Sequence, residues 1–201
     1  MRFVGVPALV SATAAPIGLV GGWALAASMW PEYDPIRQTI SELAAGDAPT
    51  AALMNAMFIL AGICHLTSAT FLYAIAPVGR VLLGIGGLAS FAVAAFPLPT
   101  VATTSTEHRI SAGVSFVALA VWPIFGWRRR PVTRIVSLLP MLAGALVMGA
   151  LCIWFLLVWS DTGGTTGLIE RFAVAAEAIF PAVVAWGLLI GERRRRRFNF
   201  R

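Results

Sequence analysis

Six apolar stretches, each long enough to cross a bilayer, dictate what this chain can fold into. They cover about residues 4–30, 51–75, 81–99, 110–127, 135–159 and 172–190. A spanning helix needs about 20 apolar residues, with a range of about 17–25. Lipid offers no partner to a free backbone N–H or C=O, so an isolated run of this length must close its hydrogen bonds as a helix. Composition agrees: 59% of the residues are hydrophobic and 12% charged, against about 25% charged in a soluble domain. The expected fold is therefore all-α, a polytopic six-helix transmembrane bundle forming a single membrane domain over residues 1–201, with 191–201 as a basic tail. The first stretch follows Arg2 in the manner of a secretory signal, but it is longer than the apolar region of about 7–15 residues that a signal carries, and it reads as a retained helix.

The charges sort by loop. With the N-terminus in the cytoplasm, the inner side receives twelve arginines and one acid, Glu192. The outer side receives Arg37, Arg109 and Arg171 with seven acids, and Glu177 falls inside the sixth stretch. The positive-inside rule thus places both termini in the cytoplasm of a bacterial inner membrane. Trp30 and Trp159 fit the outer interface and Trp127 the inner one. All fifteen basic residues are arginine, and alanine is abundant, a composition that fits a GC-rich bacterium such as an actinobacterium. Small-residue stripes offer close helix contact: Gly18, Gly22 and Ala26; Gly86, Ser90 and Ala94; Ala145 and Gly149. Pro16, Pro140 and Pro181 lie within spans and are expected to kink them. Cys64 and Cys152 lie in separate apolar runs and read as small buried hydrophobes.

The longest loop runs between the first two stretches and holds Glu32, Asp34, Glu42 and Asp47. Asp34-Pro35 resembles an N-cap followed by proline in the first turn, and Gly46 resembles a stop, which predicts a short interfacial helix. Ile36, Ile40 and Leu43 would share its apolar face and rest on the outer membrane surface.

Candidate site residues group by depth. Asp34, Arg37, Ser41, Glu42, His108, Arg171 and Glu177 form a candidate polar cluster at the outer face. Glu177 lies about 9 Å into its helix and needs a partner, for which Arg37 or Arg109 is available. His65, about 20 Å below the outer boundary, reads either as a packed neutral imidazole or as a proton-handling group. Asn55 reads as a helix–helix hydrogen bond. The run Arg193, Arg194, Arg195, Arg196 and Arg197 reads as a contact for anionic lipid, not for nucleic acid. His65 and His108 stand too far apart in depth to ligate one haem, and no spacing supports a zinc site, so neither cofactor nor metal is expected. No nucleophile elbow, P-loop or dinucleotide fingerprint is present.

Tyr33-Asp34-Pro35 with Ser41-Glu42-Leu43, then Met54-Asn55-x-x-Phe58, Phe96-Pro97, His108 and Gly167-Leu168-x-x-Arg171 together resemble the bacterial domain-of-unknown-function family 998. The resemblance spans nearly the whole chain and implies a six-helix membrane protein without an established activity. Leu98-Pro99 follows the Phe-Pro pair where members of that family often carry a polar or acidic residue. Three functions stay open on the sequence. The first is a non-catalytic subunit packed against a larger envelope complex, such as one that moves lipid. The second is an enzyme or carrier for a lipid headgroup at the outer leaflet. The third is a small proton-coupled transporter using Glu177 and His65.

Overall fold

A computed structural model describes residues 3–159 and 164–199, with side chains as far as Arg195. Arg2, Asp161 and Arg201, which enter the charge count above, lie outside the described residues. The helices are α1 (Val6–Ser28), the four-residue α2 (Ile40–Leu43), α3 (Ala51–Phe71), α4 (Pro77–Ala95), α5 (Thr106–Gly126), α6 (Leu138–Trp159) and α7 (Thr166–Asn199). A 3-10 turn, Arg134–Val136, precedes α6. Six of these helices are long and apolar enough to span a membrane.

The spans form a closed ring in chain order. α1 packs on α3, α3 on α4, α4 on α5, α5 on α6, α6 on α7, and α7 returns to α1. Short loops make successive helices antiparallel, so the ring has an acidic end, with the 29–50 and 96–105 loops, and a basic end, with the N-terminus and the C-terminal part of α7.

Several helix ends move from their expected places. The third span begins at Pro77 rather than 81, because proline suits the first turn, where the N–H is free in any case. Arg80 is tolerated there because its guanidinium donates to the carbonyls of Ala69 and Thr70 at 2.6 Å each, capping the end of α3. The fourth span begins at Thr106, where Ser105 accepts from the His108 N–H at 3.1 Å as an N-cap. α7 extends past both ends of 172–190 with charged turns. Pro140 falls in the first turn of α6, so it interrupts no ladder, whereas Pro16, Pro123 and Pro181 lie inside their helices.

Small residues set the closest approaches. A Cβ on Gly62 would stand 2.8 Å from the Gly87 carbonyl oxygen, and one on Gly87 would stand 2.9 Å from that of Gly62. α3 and α4 therefore meet backbone to backbone, the close packing that helix association in lipid favours. The Gly18–Gly22 stripe faces Leu60 and Met57 of α3, and Gly86 faces Leu119 of α5. Gly149 has no atom within 4 Å of a would-be Cβ, so that member of the α6 stripe is open rather than packed.

Two core clusters fill the ring. One, around Trp122, Leu72, Ile75, Met141 and Leu188, lies toward the basic end. The other joins Leu19 and Trp23 of α1, Met54 of α3 and Ala178 of α7 to Ile40 and Leu43 of α2. The short helix expected in the loop between the first two spans is thus present, but Ile40 and Leu43 are 1% and 0% exposed. They plug the acidic end of the ring and do not rest on lipid. Ile36, the third residue of the expected apolar face, is left exposed.

Candidate functional site

The acidic end is closed by a cap built from residues 29–50. Asp34 starts it by accepting from the N–H of Ile36 at 2.9 Å and of Arg37 at 3.4 Å, which turns the chain without forming a helix. Gln38 completes the turn, donating its N–H to the Asp34 carbonyl at 2.7 Å while its Oε1 accepts from the Asp34 N–H at 2.8 Å. Thr39 and Glu42 then form a reciprocal capping box at the start of α2. The true N-cap is thus Thr39 and not Asp34. Thr50 and Asn55 fasten the far side by donating to the carbonyls of Leu43 at 2.8 Å and Ala44 at 3.1 Å.

The cap is clasped to α7. The N–H groups of Gly167 and Leu168, free at a helix start, donate to the carbonyls of Arg37 and Ile36 at 3.2 and 3.0 Å. Arg171, one turn on, donates to the carbonyls of Pro35 at 2.8 Å, Gln38 at 2.9 Å and Gly167 at 2.8 Å. It also donates to the Tyr33 hydroxyl, and its guanidinium carbon lies 5.4 Å from the centre of the Tyr33 ring. Tyr33 in turn donates to the carbonyls of Gln38 and Thr39. Burial pushes the Tyr33 phenol above its ordinary value, and the charge of Arg171 offsets only part of that. A Cβ on Gly167 would strike the Gln38 carbonyl oxygen, so the close approach requires glycine. Glu170 accepts from the Ile40 N–H, the first free donor of α2, and the Ser41 side chain reaches the same carboxylate.

These contacts give each part of the sequence signature a partner. Tyr33-Asp34-Pro35 meets Gly167-Leu168-x-x-Arg171; Asn55 holds α2; and His108 Nδ1 donates to the Phe96 carbonyl at 2.9 Å, tying α5 to the end of α4. A matching family model covers residues 13–187 and is described as "Protein of unknown function (DUF998)". The chain belongs to that family. No curated protein and no solved structure matches it. The residues that carried the resemblance are, in this chain, the two halves of the clasp and the joints beside it.

The expected outer cluster is divided. Arg37 and Asp34 form an exposed pair at 3.6 Å, and Arg37 and Glu42 line an open depression of about 300 Å³ with Thr103 and Trp159. Arg171 is sealed into the clasp. Ser41 and His108 line a different space, a cleft of about 230 Å³ between α5 and α6 that Glu170 also borders. Glu177 stands apart: Cys152 donates to it at 3.3 Å, and among the described residues no arginine of the outer loops lies within ion-pair distance. Of the two arginines expected to pair with it, Arg37 is turned to Asp34 and Arg109 lines the α5–α6 cleft. His65 is buried against Gly87, and neither of its ring nitrogens has a hydrogen-bond partner among the described residues. No hydrogen bond or ion pair joins it to Glu177 among those residues. Arg193, Arg194 and Arg195 are exposed on the last turns of α7, and the side chains of Arg196 and Arg197 lie outside the described residues. Among the described residues, no group of three potential metal ligands comes together.

The α5–α6 cleft has the most definite chemistry of these places. Its walls are Phe116, Phe155, Leu156 and Trp159; its polar end carries His108, Arg109, Ser41 and Glu170. A carbonyl oxygen only accepts, so His108 Nδ1 holds the proton of the neutral ring and Nε2 is left as a lone pair. Gly113 also lines the cleft, and a Cβ there would meet nothing within 4 Å. Glu170 was the missing member in the sequence reading. The available signal was its place beside Arg171 at a helix start, but its partner is the amide of Ile40, 130 residues away.

Proposed function

We propose that this protein is a non-catalytic subunit of a larger cell-envelope membrane complex that handles lipid, and that it holds one amphiphile with an anionic headgroup in the α5–α6 cleft. The cleft carries this reading. It joins an aromatic and aliphatic wall to a polar end where Arg109 supplies the cation. Arg109 offers a fork of donors to a phosphate or carboxylate. About 230 Å³ is below the ~300 Å³ at which drug-sized pockets begin, so the space takes one chain and the headgroup edge of an amphiphile. A non-catalytic role is supported by the clasp, because Arg171 and Glu170 are engaged with the chain's own backbone. The cap is therefore a fixed surface suited to receiving another protein. Arginine placement supports a setting in the bacterial inner membrane with both termini cytoplasmic, and the composition supports an actinobacterial source.

Two purifications test this. Purified from its own membranes in mild detergent, a tagged copy is expected to bring stoichiometric membrane partners and one retained lipid. Gly113→Leu fills the cleft and is expected to lose the lipid, while Gly149→Leu, on an open stretch of α6, keeps it. A lone monodisperse protein would overturn the subunit reading. Lipid retained equally by both variants would overturn the cleft.

One observation favours a second reading, an enzyme acting on the headgroup. The His108 tautomer is fixed by Phe96 with Nε2 as a base. Turnover of a lipid by the purified protein, lost in His108→Gln, would select it.

A further inference from the structure

The basic end holds a second pocket, of about 440 Å³, between α7 and the segment that leads into α6. Its α7 wall is one helical face: Gly187, Ile190, Gly191, Arg194 and Arg195 follow at steps of three, one, three and one. Glycine at two of these positions brings the opposite wall close. A Cβ on Gly187 would stand 2.9 Å from Ile135, and one on Gly191 would strike Thr133. That wall adds Arg134 and Thr133, so three arginines converge on one space. Glu192, the acid on these turns of α7, is directed to the N-terminal segment, where it accepts from the Phe3 N–H at 3.3 Å. Arg195 is steadied by the Phe3 ring, 5.7 Å from its guanidinium carbon. The Thr133 hydroxyl is buried with no hydrogen-bond partner among the described residues.

We infer that this pocket binds the phosphodiester headgroup of an anionic phospholipid in the leaflet at the basic end. Guanidinium forks match phosphate oxygens in geometry as well as charge. Val132, Ile135 and Ile190 give the remaining wall an apolar character suited to glycerol and the first acyl carbons, which a free phosphate lacks. The pocket separates the members of the arginine run. Arg194 and Arg195 belong to it together with Arg134, which lies 60 residues earlier in the sequence, whereas Arg193 lies on another side of the helix. Generic attraction between a basic tail and an anionic surface makes no such distinction, since each surface arginine then contributes about fivefold.

Native mass spectrometry of the full chain in a neutral detergent tests the assignment with dioctanoyl phosphatidylglycerol, dioctanoyl phosphatidylcholine and inorganic phosphate. The wild type is expected to retain phosphatidylglycerol over phosphatidylcholine. Arg134→Gln and Arg194→Gln each weaken it tenfold or more, and Arg194→Lys restores only part. Arg193→Gln, with the same charge change, stays within about fivefold. All three positions are exposed, and an unchanged melting temperature without lipid verifies folding. Equal losses from Arg193→Gln and Arg194→Gln would overturn the pocket. Displacement of phosphatidylglycerol by equimolar inorganic phosphate would overturn the lipid in favour of a soluble phosphate.

Discussion

Arg171 on α7 donates to the hydroxyl of Tyr33 in the first loop, and the same guanidinium holds the carbonyls of Pro35 and Gln38. The two residues lie 138 positions apart. Their contact turns a polar loop into a lid fixed on a ring of membrane helices, and the residues of the family signature supply most of the parts.

Arg171→Gln removes a charged donor from four oxygen acceptors. Hydrogen bonds to a charged group contribute about 1.5–3 kcal/mol each, though not additively. The variant is expected to lose about 3 kcal/mol of unfolding free energy in detergent, as for other broken buried pairs. Arg37→Gln, whose side chain is 74% exposed, should change it by at most about 1 kcal/mol. Chemical unfolding of both variants checks the difference.

Gly167→Ala places a methyl against the Gln38 carbonyl. Overpacking of this kind costs about 1–3 kcal/mol, and hydrogen exchange at Leu168 should quicken as its bond to Ile36 opens. Gly149→Ala, in open space, should instead hold or slightly raise stability by helix propensity.

Thr39→Ala dismantles the capping box of α2. A lost cap costs about 0.5–2 kcal/mol. The loss should appear as faster exchange of the Glu42 amide, with the six spans still protected.

The Tyr33 phenol gives the clasp a pH dependence. Its folded value is raised by burial, whereas the unfolded phenol ionises near its ordinary value of about 10. Stability from this group is therefore fully present below about pH 10 and falls as pH rises above it, because the unfolded chain ionises first. Unfolding of the wild type between pH 9 and 11 should show that decline, and Tyr33→Phe should show less of it.

Helix number and kind were legible because long apolar runs admit one solution in lipid. The posture of the cap was not. Ile36, Ile40 and Leu43 fit a helix lying on the membrane as well as a plug in the ring, and the deciding contacts with Trp23, Met54 and Ala178 come from three other helices. One local clue was available: Thr39-x-x-Glu42 is a capping-box sequence and marks the start of α2 better than Asp34-Pro35 does. The α3–α4 contact shows the same limit. Gly87 adjoins the Gly86 stripe, but its partner Gly62 stands alone on α3, and only the crossing of the two helices pairs them. Charge alone made Glu177 look like part of the outer cluster. The geometry turns Arg37 to Asp34, places Arg109 in the cleft lining and leaves Glu177 with Cys152.

The most direct measurement of the clasp is a double-mutant cycle on unfolding free energy with Tyr33→Phe, Arg171→Gln and the pair. The two side chains touch, and contacting residues couple by about 0.5–3 kcal/mol. If the signature is a clasp, both single variants are destabilised and the double variant loses at least about 0.5 kcal/mol less than their sum. Singles as stable as the wild type, or losses that simply add, would contradict it.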